Sequence, residues 1–337
     1  MLHHGGRLIQ AAKQYNIPLE QWLDLSTGIN PDGWPVPNIP ERIFNRLPEE
    51  EDGLHQVAKD YYQATSLLAI PGSQAVIQLL PSLRNKSRVA VPDIGYAEHA
   101  HAWRQAGHEV TALSKNQIDE NLEQYDVLVI INPNNPAGDY YTAEQLLDWH
   151  KRLQLKNGWL IVDEAFIDSR MEYSVARYAN QPGLVVLKSM GKFFGLAGIR
   201  SGFVIAEEVL LKKIKQVLGP WAVSGPSRFI AMQALQDKSW QQMNRAQLIE
   251  QAEQLKSLLA RYIRQDSETA YIKGTDLFQT LFCDKAEALH KALARKGVFT
   301  RLLDDGQGVR FGLAKQEQWL TLEQVFEYVA ECNNVAG

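Results

Sequence analysis

Ser189-Met190-Gly191-Lys192-Phe193-Phe194-Gly195-Leu196-Ala197-Gly198-Ile199-Arg200-Ser201-Gly202 is the stretch that decides how this chain is read. It sets one lysine in a small-residue turn and an arginine eight residues later, followed by a strand-like run, Phe203-Val204-Ile205-Ala206. A lysine amine condenses with an aldehyde, and burial or a neighbouring cation helps by favouring the neutral amine. If that aldehyde carries a phosphate, it needs a cation such as Arg200 and a hydroxyl such as Ser189. The same string also suits a Gly-rich loop with two surface cations, so its context has to decide.

Upstream, Trp159-Leu160-Ile161-Val162-Asp163-Glu164-Ala165-Phe166 reads as an apolar strand delivering a carboxylate at its C-terminal end. Open α/β sheets bind ligands outside those ends. A carboxylate there can keep a heteroaromatic ring nitrogen protonated and make the ring an electron sink. Earlier still, Val127-Leu128-Val129-Ile130-Ile131 runs into Asn132-Pro133-Asn134-Asn135-Pro136-Ala137-Gly138, a turn from which Asn135 can reach a ring hydroxyl. Pro71-Gly72-Ser73-Gln74-Ala75 follows another apolar run and opens a helix, whose N-terminal N–H groups suit an anion. A plain helix start with Ser73 as the N-cap residue fits the same letters. The phosphorylated aldehyde with a ring nitrogen and a ring hydroxyl is pyridoxal 5'-phosphate.

At 337 residues, with 45% hydrophobic and 22% charged residues, the chain has the composition of an ordinary globular protein long enough for two lobes. A formal net charge of −4 offers no basic field for nucleic acid. No apolar run approaches the ~20 residues that span a bilayer. Met1-Leu2-His3-His4-Gly5-Gly6 has no basic segment followed by a hydrophobic one, so no secretory signal is expected. Cys283 and Cys332 lack the paired spacing of a metal site or a disulfide framework, and no metal is expected. A reducing, cytoplasmic setting fits them.

Along the chain, residues 1–45 read as an N-terminal arm with one short helix, Arg7 to Tyr15, and Gly53 to Ala64 as a further helix. Strands are expected at Ser87–Val91, Glu109–Leu113, Val127–Ile131, Leu160–Asp163, Leu184–Leu187 and Gly202–Ile205, with helices such as Ser73–Leu80, Tyr96–Ala106 and Thr142–Leu155 between them. That alternation implies an α/β fold with a mostly parallel sheet covered on both faces. Gln216 to Arg264 looks almost wholly helical, interrupted by Gly219-Pro220. Ala270–Ile272, Leu277–Leu281, Val298–Arg301 and Val309–Leu313 read as strands around a helix at Ala286–Arg295, an α+β lobe. The expected division is an arm (1–45), a large domain (46–235) and a small C-terminal domain (236–337).

In order and spacing, the lysine, aspartate and asparagine segments resemble those of fold-type I pyridoxal-phosphate enzymes, in the branch that contains histidinol-phosphate aminotransferases. The resemblance runs from about Gly5 to Arg310. Within the branch, His4-Gly5-Gly6, Asp24-Leu25-Ser26-Thr27-Gly28-Ile29-Asn30-Pro31, Arg46-Leu47-Pro48, Asp52-Gly53-Leu54 and Tyr96-Ala97-Glu98-His99 are similar to the threonine-phosphate decarboxylase family of cobalamin biosynthesis.

The resemblance implies that Lys192 carries the cofactor and Asp163 faces its ring nitrogen. It implies a phosphate cradle from Gly72, Ser73, Gln74, Ser189 and Arg200, with the Tyr96 ring over the cofactor face. Arg310 matches the family's clamp for the substrate α-carboxylate, a two-pronged geometry that lysine cannot reproduce. Gly28 and Ile29 offer backbone N–H groups to the same carboxylate, Asn135 also borders the substrate, and His4 and Arg7 are placed to hold a substrate phosphate. Two positions depart from the wider family. Leu47-Pro48 stands for a Tyr-Pro pair whose tyrosine reaches the partner's cofactor, and Phe166 stands where many relatives have a tyrosine. Phenylalanine is tolerated there in the decarboxylases.

The implied reaction is decarboxylation of a small phosphorylated amino acid, with transamination of the histidinol-phosphate aminotransferase type as the alternative. The expected assembly is a homodimer, without nucleic-acid or membrane partners. A pyridoxal-phosphate-sensing regulator would carry a DNA-binding domain ahead of the fold, and the reading leaves no room for one.

Overall fold

The computed structural model describes residues 5–263 and 269–335. His4 and the side chain of Cys332 fall outside what it describes. Its strands are β1 (Leu23–Asp24), β2 (Leu67–Ile70), β3 (Arg88–Pro92), β4 (Glu109–Leu113), β5 (Val127–Ile131), β6 (Trp159–Asp163), β7 (Leu184–Ser189), β8 (Gly202–Ile205), β9 (Tyr271–Thr275), β10 (Phe278–Phe282), β11 (Val298–Phe299), β12 (Arg301–Leu302) and β13 (Gly308–Gly312). By contacts the chain forms two units. One comprises 33–135 and 139–242; the other comprises 1–32, 136–138 and 243–337. Residues 33–45, read from sequence with the arm, are thus in the first unit.

The first unit is built on a seven-stranded sheet in the order β2-β8-β7-β6-β5-β3-β4. β3 to β7 run parallel, while β8 is antiparallel to both β7 and β2. Strands covered on both faces need apolar residues at every position, which is why Val127 to Ile131 is an unbroken buried run. Alternation still sorts the faces. Val127, Val129, Ile161, Val185 and Leu187 share one core cluster with Val76 and Ile77 of the helix Ser73–Leu79 and with Trp103 of the helix Glu98–Gln105. Each such fully buried aliphatic side chain contributes about 1.5–3 kcal/mol. The helix Ala143–Gln154 shows the local logic. Thr142 caps it by accepting from the Gln145 N–H at 3.2 Å, and Leu146, Trp149, His150 and Leu153 make its buried stripe at helical spacing.

The second unit carries a four-stranded antiparallel sheet in the order β12-β13-β10-β9 and a two-stranded parallel pairing of β1 with β11. The run Val298–Arg301 was expected as one strand. It is split: Val298 and Phe299 pair with Leu23 and Asp24, and past Thr300 the chain pairs Arg301 and Leu302 with β13. The helical stretch read over Gln216–Arg264 is also divided, into the end of Glu208–Leu218, then Gly225–Gln236 and Lys238–Ile263. The helix Trp319–Val335 and the strand β2 had no counterpart in the sequence reading. Among the described residues no helix is long and apolar enough to cross a membrane, and no cluster of three or more metal-ligating side chains occurs.

Candidate active site

The C-terminal ends of the parallel strands β5, β6 and β7 lead into a cavity of about 170 Å3 lined by Ser73, Gln74, Tyr96, Asn135, Asp163, Ser189, Lys192 and Arg200, together with Ile131, Ala165 and Phe166. The first unit also has a larger cavity of about 770 Å3, lined by Pro48 and Trp221 among others, and none of the cofactor-type residues reach it. The smaller cavity is the candidate, because chemistry and not volume identifies a site.

Lys192 stands in a loop held from several sides. The Gly195 N–H donates to the Lys192 carbonyl (3.1 Å) and the Leu196 N–H to the Met190 carbonyl (3.1 Å), while Trp34 N–H donates to the Phe194 carbonyl (2.9 Å). Phe193 and Phe194 are fully buried, and Phe194 stacks on Trp240 with ring centroids 5.7 Å apart. Two buried aromatics thus anchor the loop and leave the lysine directed into the cavity. Its Nζ lies 4.9 Å from the centroid of the Phe166 ring. Phenylalanine cannot donate a hydrogen bond to a bound ring, but its face can sit against an amine.

Asp163, 4% exposed, ends β6. Its Oδ1 accepts from the Ala165 N–H at 3.1 Å, and its Oδ2 pairs with His99 Nε2 at 2.9 Å. His99, to which the sequence reading gave no role, is the side chain that meets Asp163 here. The residue stood in the quoted Tyr96-Ala97-Glu98-His99, at the start of the helix Glu98–Gln105, with nothing local to mark it. Its partner lies 64 positions further on. Tyr96 packs edge-on against His99 (6.2 Å) and donates from its hydroxyl to Gln74 Oε1 at 3.0 Å; Gln74 Nε2 in turn donates to Glu98 Oε2 at 2.9 Å. Burial, with Glu98 and Asp163 nearby, pushes the Tyr96 hydroxyl up to about 12 against an opposing effect of Arg200. Tyr96 therefore stays a neutral donor.

At the anion end, Gly72 and not Ser73 is the N-cap residue of the helix Ser73–Leu79, and no side chain caps it. Gly72 has φ +80°, and a Cβ there would lie 2.6 Å from an Arg200 guanidinium nitrogen. Glycine is required by the backbone conformation and by the close approach of the cation. Arg200 is itself left-handed at φ 50°, with Nη1 donating to the Ala197 carbonyl at 3.1 Å. Ser189 Oγ accepts from the Gly191 N–H at 3.2 Å. A first helical turn without a side-chain cap, a hydroxyl pair and a guanidinium are groups that suit a phosphate. The turn after β5 is organised by Asn132, whose Nδ2 donates to the Tyr141 carbonyl (3.1 Å) while its Oδ1 accepts from the Tyr141 N–H (3.0 Å). Amine, buried carboxylate, aromatic wall and anion-end groups together fit pyridoxal phosphate.

The remaining expected site residues belong to the other unit. Arg310, on β13, is 8% exposed, and an Nη2 N–H donates to the Ser26 carbonyl at 2.7 Å. Burial, and then the neighbouring Arg301, lowers it to about 10 against the pull of Asp24. Ser26 also accepts from the Gly6 N–H (2.8 Å) through its hydroxyl, which donates to Asp24 Oδ1 (2.6 Å). A Cβ on Gly312 would collide with the Thr27 carbonyl, so the segment leading to Gly28 and Ile29 lies tight against β13. Leu47 is 64% exposed.

Comparison with known proteins places these features in a family. Residues 50–308 match the model described as "Aminotransferase class I and II". A threonine-phosphate decarboxylase of Pseudomonas aeruginosa is 47% identical over 96% of this chain and 96% of its own length. One from Sinorhizobium is 38% identical over 92% and 93%. The structure of a histidinol-phosphate aminotransferase from Sinorhizobium meliloti in complex with pyridoxal 5'-phosphate superposes with a TM-score of 0.79, covering 98% of this chain and 99% of that one at 15% identity. Matched by that family model over most of its length and by such relatives end to end, the chain belongs to the aminotransferase class I and II family of pyridoxal-phosphate enzymes and, within it, to the threonine-phosphate decarboxylases.

Proposed function

We propose that this chain decarboxylates L-threonine O-3-phosphate, giving CO2 and (R)-1-amino-2-propanol O-phosphate for cobalamin biosynthesis. The observation that carries the reading is the 47% identity to a threonine-phosphate decarboxylase across nearly the whole chain. The cavity chemistry supports it. Bound pyridoxal phosphate supplies an electron sink for the pair left on Cα when the carboxylate departs.

The protein supplies attachment, orientation and charge. Lys192, whose amine enters the cavity, would be the residue that holds the cofactor. Asp163, fixed by His99 and the Ala165 N–H, presents a negative charge to the ring nitrogen. Gly72, Ser73, Gln74, Ser189 and Arg200 receive the cofactor phosphate, and Asn135 takes the ring hydroxyl and borders the substrate. Arg310, with Gly28 and Ile29, orients the carboxylate, and His4 and Arg7 take the substrate phosphate. The Arg310 guanidinium is already tied by one N–H to the Ser26 carbonyl, so its plane is set before a carboxylate arrives.

The assembly we propose is a homodimer acting in the cytoplasm. The deciding assay supplies threonine phosphate and measures CO2 with and without a 2-oxo acid. Acceptor-independent CO2 release is expected; amino-group transfer without CO2 would replace the reading by an aminotransferase.

A further inference from the structure

Directly behind the candidate site lies a group of charges that the reading above does not use. Lys188 and Glu164 are both 0% exposed, with Nζ and Oε2 2.5 Å apart. Ser174 joins them: its hydroxyl donates to Glu164 Oε2 at 2.5 Å and accepts from Lys188 Nζ at 3.1 Å. Glu164 Oε1 accepts from the Val175 N–H at 2.8 Å. Lys188 Nζ also lies 4.9 Å from the centroid of the buried Tyr62 ring, which packs against Phe203, the residue paired with Lys188 across β7 and β8.

Strand alternation explains the placement. Leu187 and Ser189 point to the face that holds the cavity, so Lys188 between them points to the other. Asp163 lines the cavity and Glu164 does not. The Glu164 N–H donates to the Leu187 carbonyl at 2.9 Å, which carries the β6–β7 pairing one residue past Asp163. Each charge of the pair is therefore adjacent in sequence to a cavity residue, Glu164 to Asp163 and Lys188 to Ser189.

A fully buried ion pair is poor evidence for stability, because apolar or neutral replacement of both partners is often neutral or better. In some proteins such a pair instead selects one arrangement of the segments that carry it. We propose that Glu164, Lys188 and Ser174 are positioning residues of the cofactor site. Their buried pair locks the ends of β6 and β7 from the face away from the cavity, and so fixes Asp163 relative to Ser189 and to the Lys192 loop. The proposal rests on Lys192 as the cofactor's attachment point, which Lys192→Ala tests separately.

The test is the double variant Glu164→Gln/Lys188→Met, which removes both charges of the pair together and leaves the buried Asp168 carboxylate in place. Three quantities are measured: thermal unfolding of the apoprotein, the pyridoxal phosphate dissociation constant, and the circular dichroism of the visible band per bound cofactor. Unfolding close to wild type is expected, with cofactor binding weaker by about tenfold, the scale on which ligand sites feel the loss of an orienting outer contact. The visible dichroism should change, since it reports the cofactor's orientation. Wild-type affinity and dichroism in a stable double variant would overturn the proposal. If the double variant does not fold, Ser174→Ala decides, since it keeps both charges and removes only the bridging hydroxyl. It should shift affinity and dichroism in the same direction, and unchanged values would overturn the proposal.

Discussion

Three residues make the sharpest tests of the site. Lys192→Ala should abolish the visible band of the purified protein, and reduction with borohydride should fix cofactor to Lys192 in the wild type only. A band retained by Lys192→Ala would put the attachment elsewhere. Gly72→Ala meets two obstacles of different kinds. The guanidinium end of Arg200 can swing away from the new methyl, but φ +80° is strained for any side chain, at about 1–3 kcal/mol. The expected result is a modestly destabilised protein that binds pyridoxal phosphate much more weakly, measured by equilibrium dialysis. His99→Phe leaves Asp163 Oδ2 without its 2.9 Å partner in a buried setting, and such a loss costs about 1–3 kcal/mol. A loss of cofactor affinity is expected from dialysis; an unchanged affinity would show that the Ala165 N–H alone orients the carboxylate. Lys192, Asp163, Asn135 and Arg200 were legible from residue type and spacing. His99 was not, because its role exists only where the helix Glu98–Gln105 meets the end of β6.

At the scale of elements, Arg310→Lys should give a folded, yellow protein that is nearly inactive on threonine phosphate. Lysine offers one point charge where arginine offers a planar fork, and a misplacement of about 1 Å can cost on the order of 100-fold. Near-normal CO2 release from the variant would mean that the carboxylate is held elsewhere. A second test concerns Asp52, which pairs with Arg228 through two hydrogen bonds of 2.7 Å and joins the start of the helix Leu54–Tyr62 to the helix Gly225–Gln236. Burial raises the Asp52 carboxyl, but the hydrogen bonds from Arg228 and Leu54 outweigh it and hold the group below its ordinary value of 3.8. A depressed carboxylate contributes stability that is present above the ordinary value and is lost as pH falls through the lowered one. Acid unfolding monitored by circular dichroism should therefore lose part of its pH dependence in Asp52→Asn, with lower stability at neutral pH. An acid limb identical to wild type would rule the pair out as a contributor. The elements themselves were read unevenly. The helix Ala143–Gln154 and β5 announce themselves by period and length, whereas β2 is only four residues and becomes a strand by pairing antiparallel with β8.

For the whole molecule, the homodimer is the remaining expectation. Sedimentation at assay concentrations should give twice the 38.1 kDa chain mass, and a fully active monomer would exclude it. By itself the sequence determined the alternation of buried strands and amphipathic helices, the turn chemistry after β5, and the lysine and arginine set eight residues apart beyond β7. Those are properties of neighbouring residues, set by backbone sterics, side-chain period and the chemistry of single side chains. Only the tertiary structure decided that Val298 to Leu302 divides between two sheets, that Asp163 is held by His99, and that Lys188 is buried against Glu164. It alone ties Arg310 to a carbonyl 284 residues earlier in the chain. The physical reason is that a buried polar group must find a partner wherever the fold brings one, and that partner's position in the chain carries no local signature.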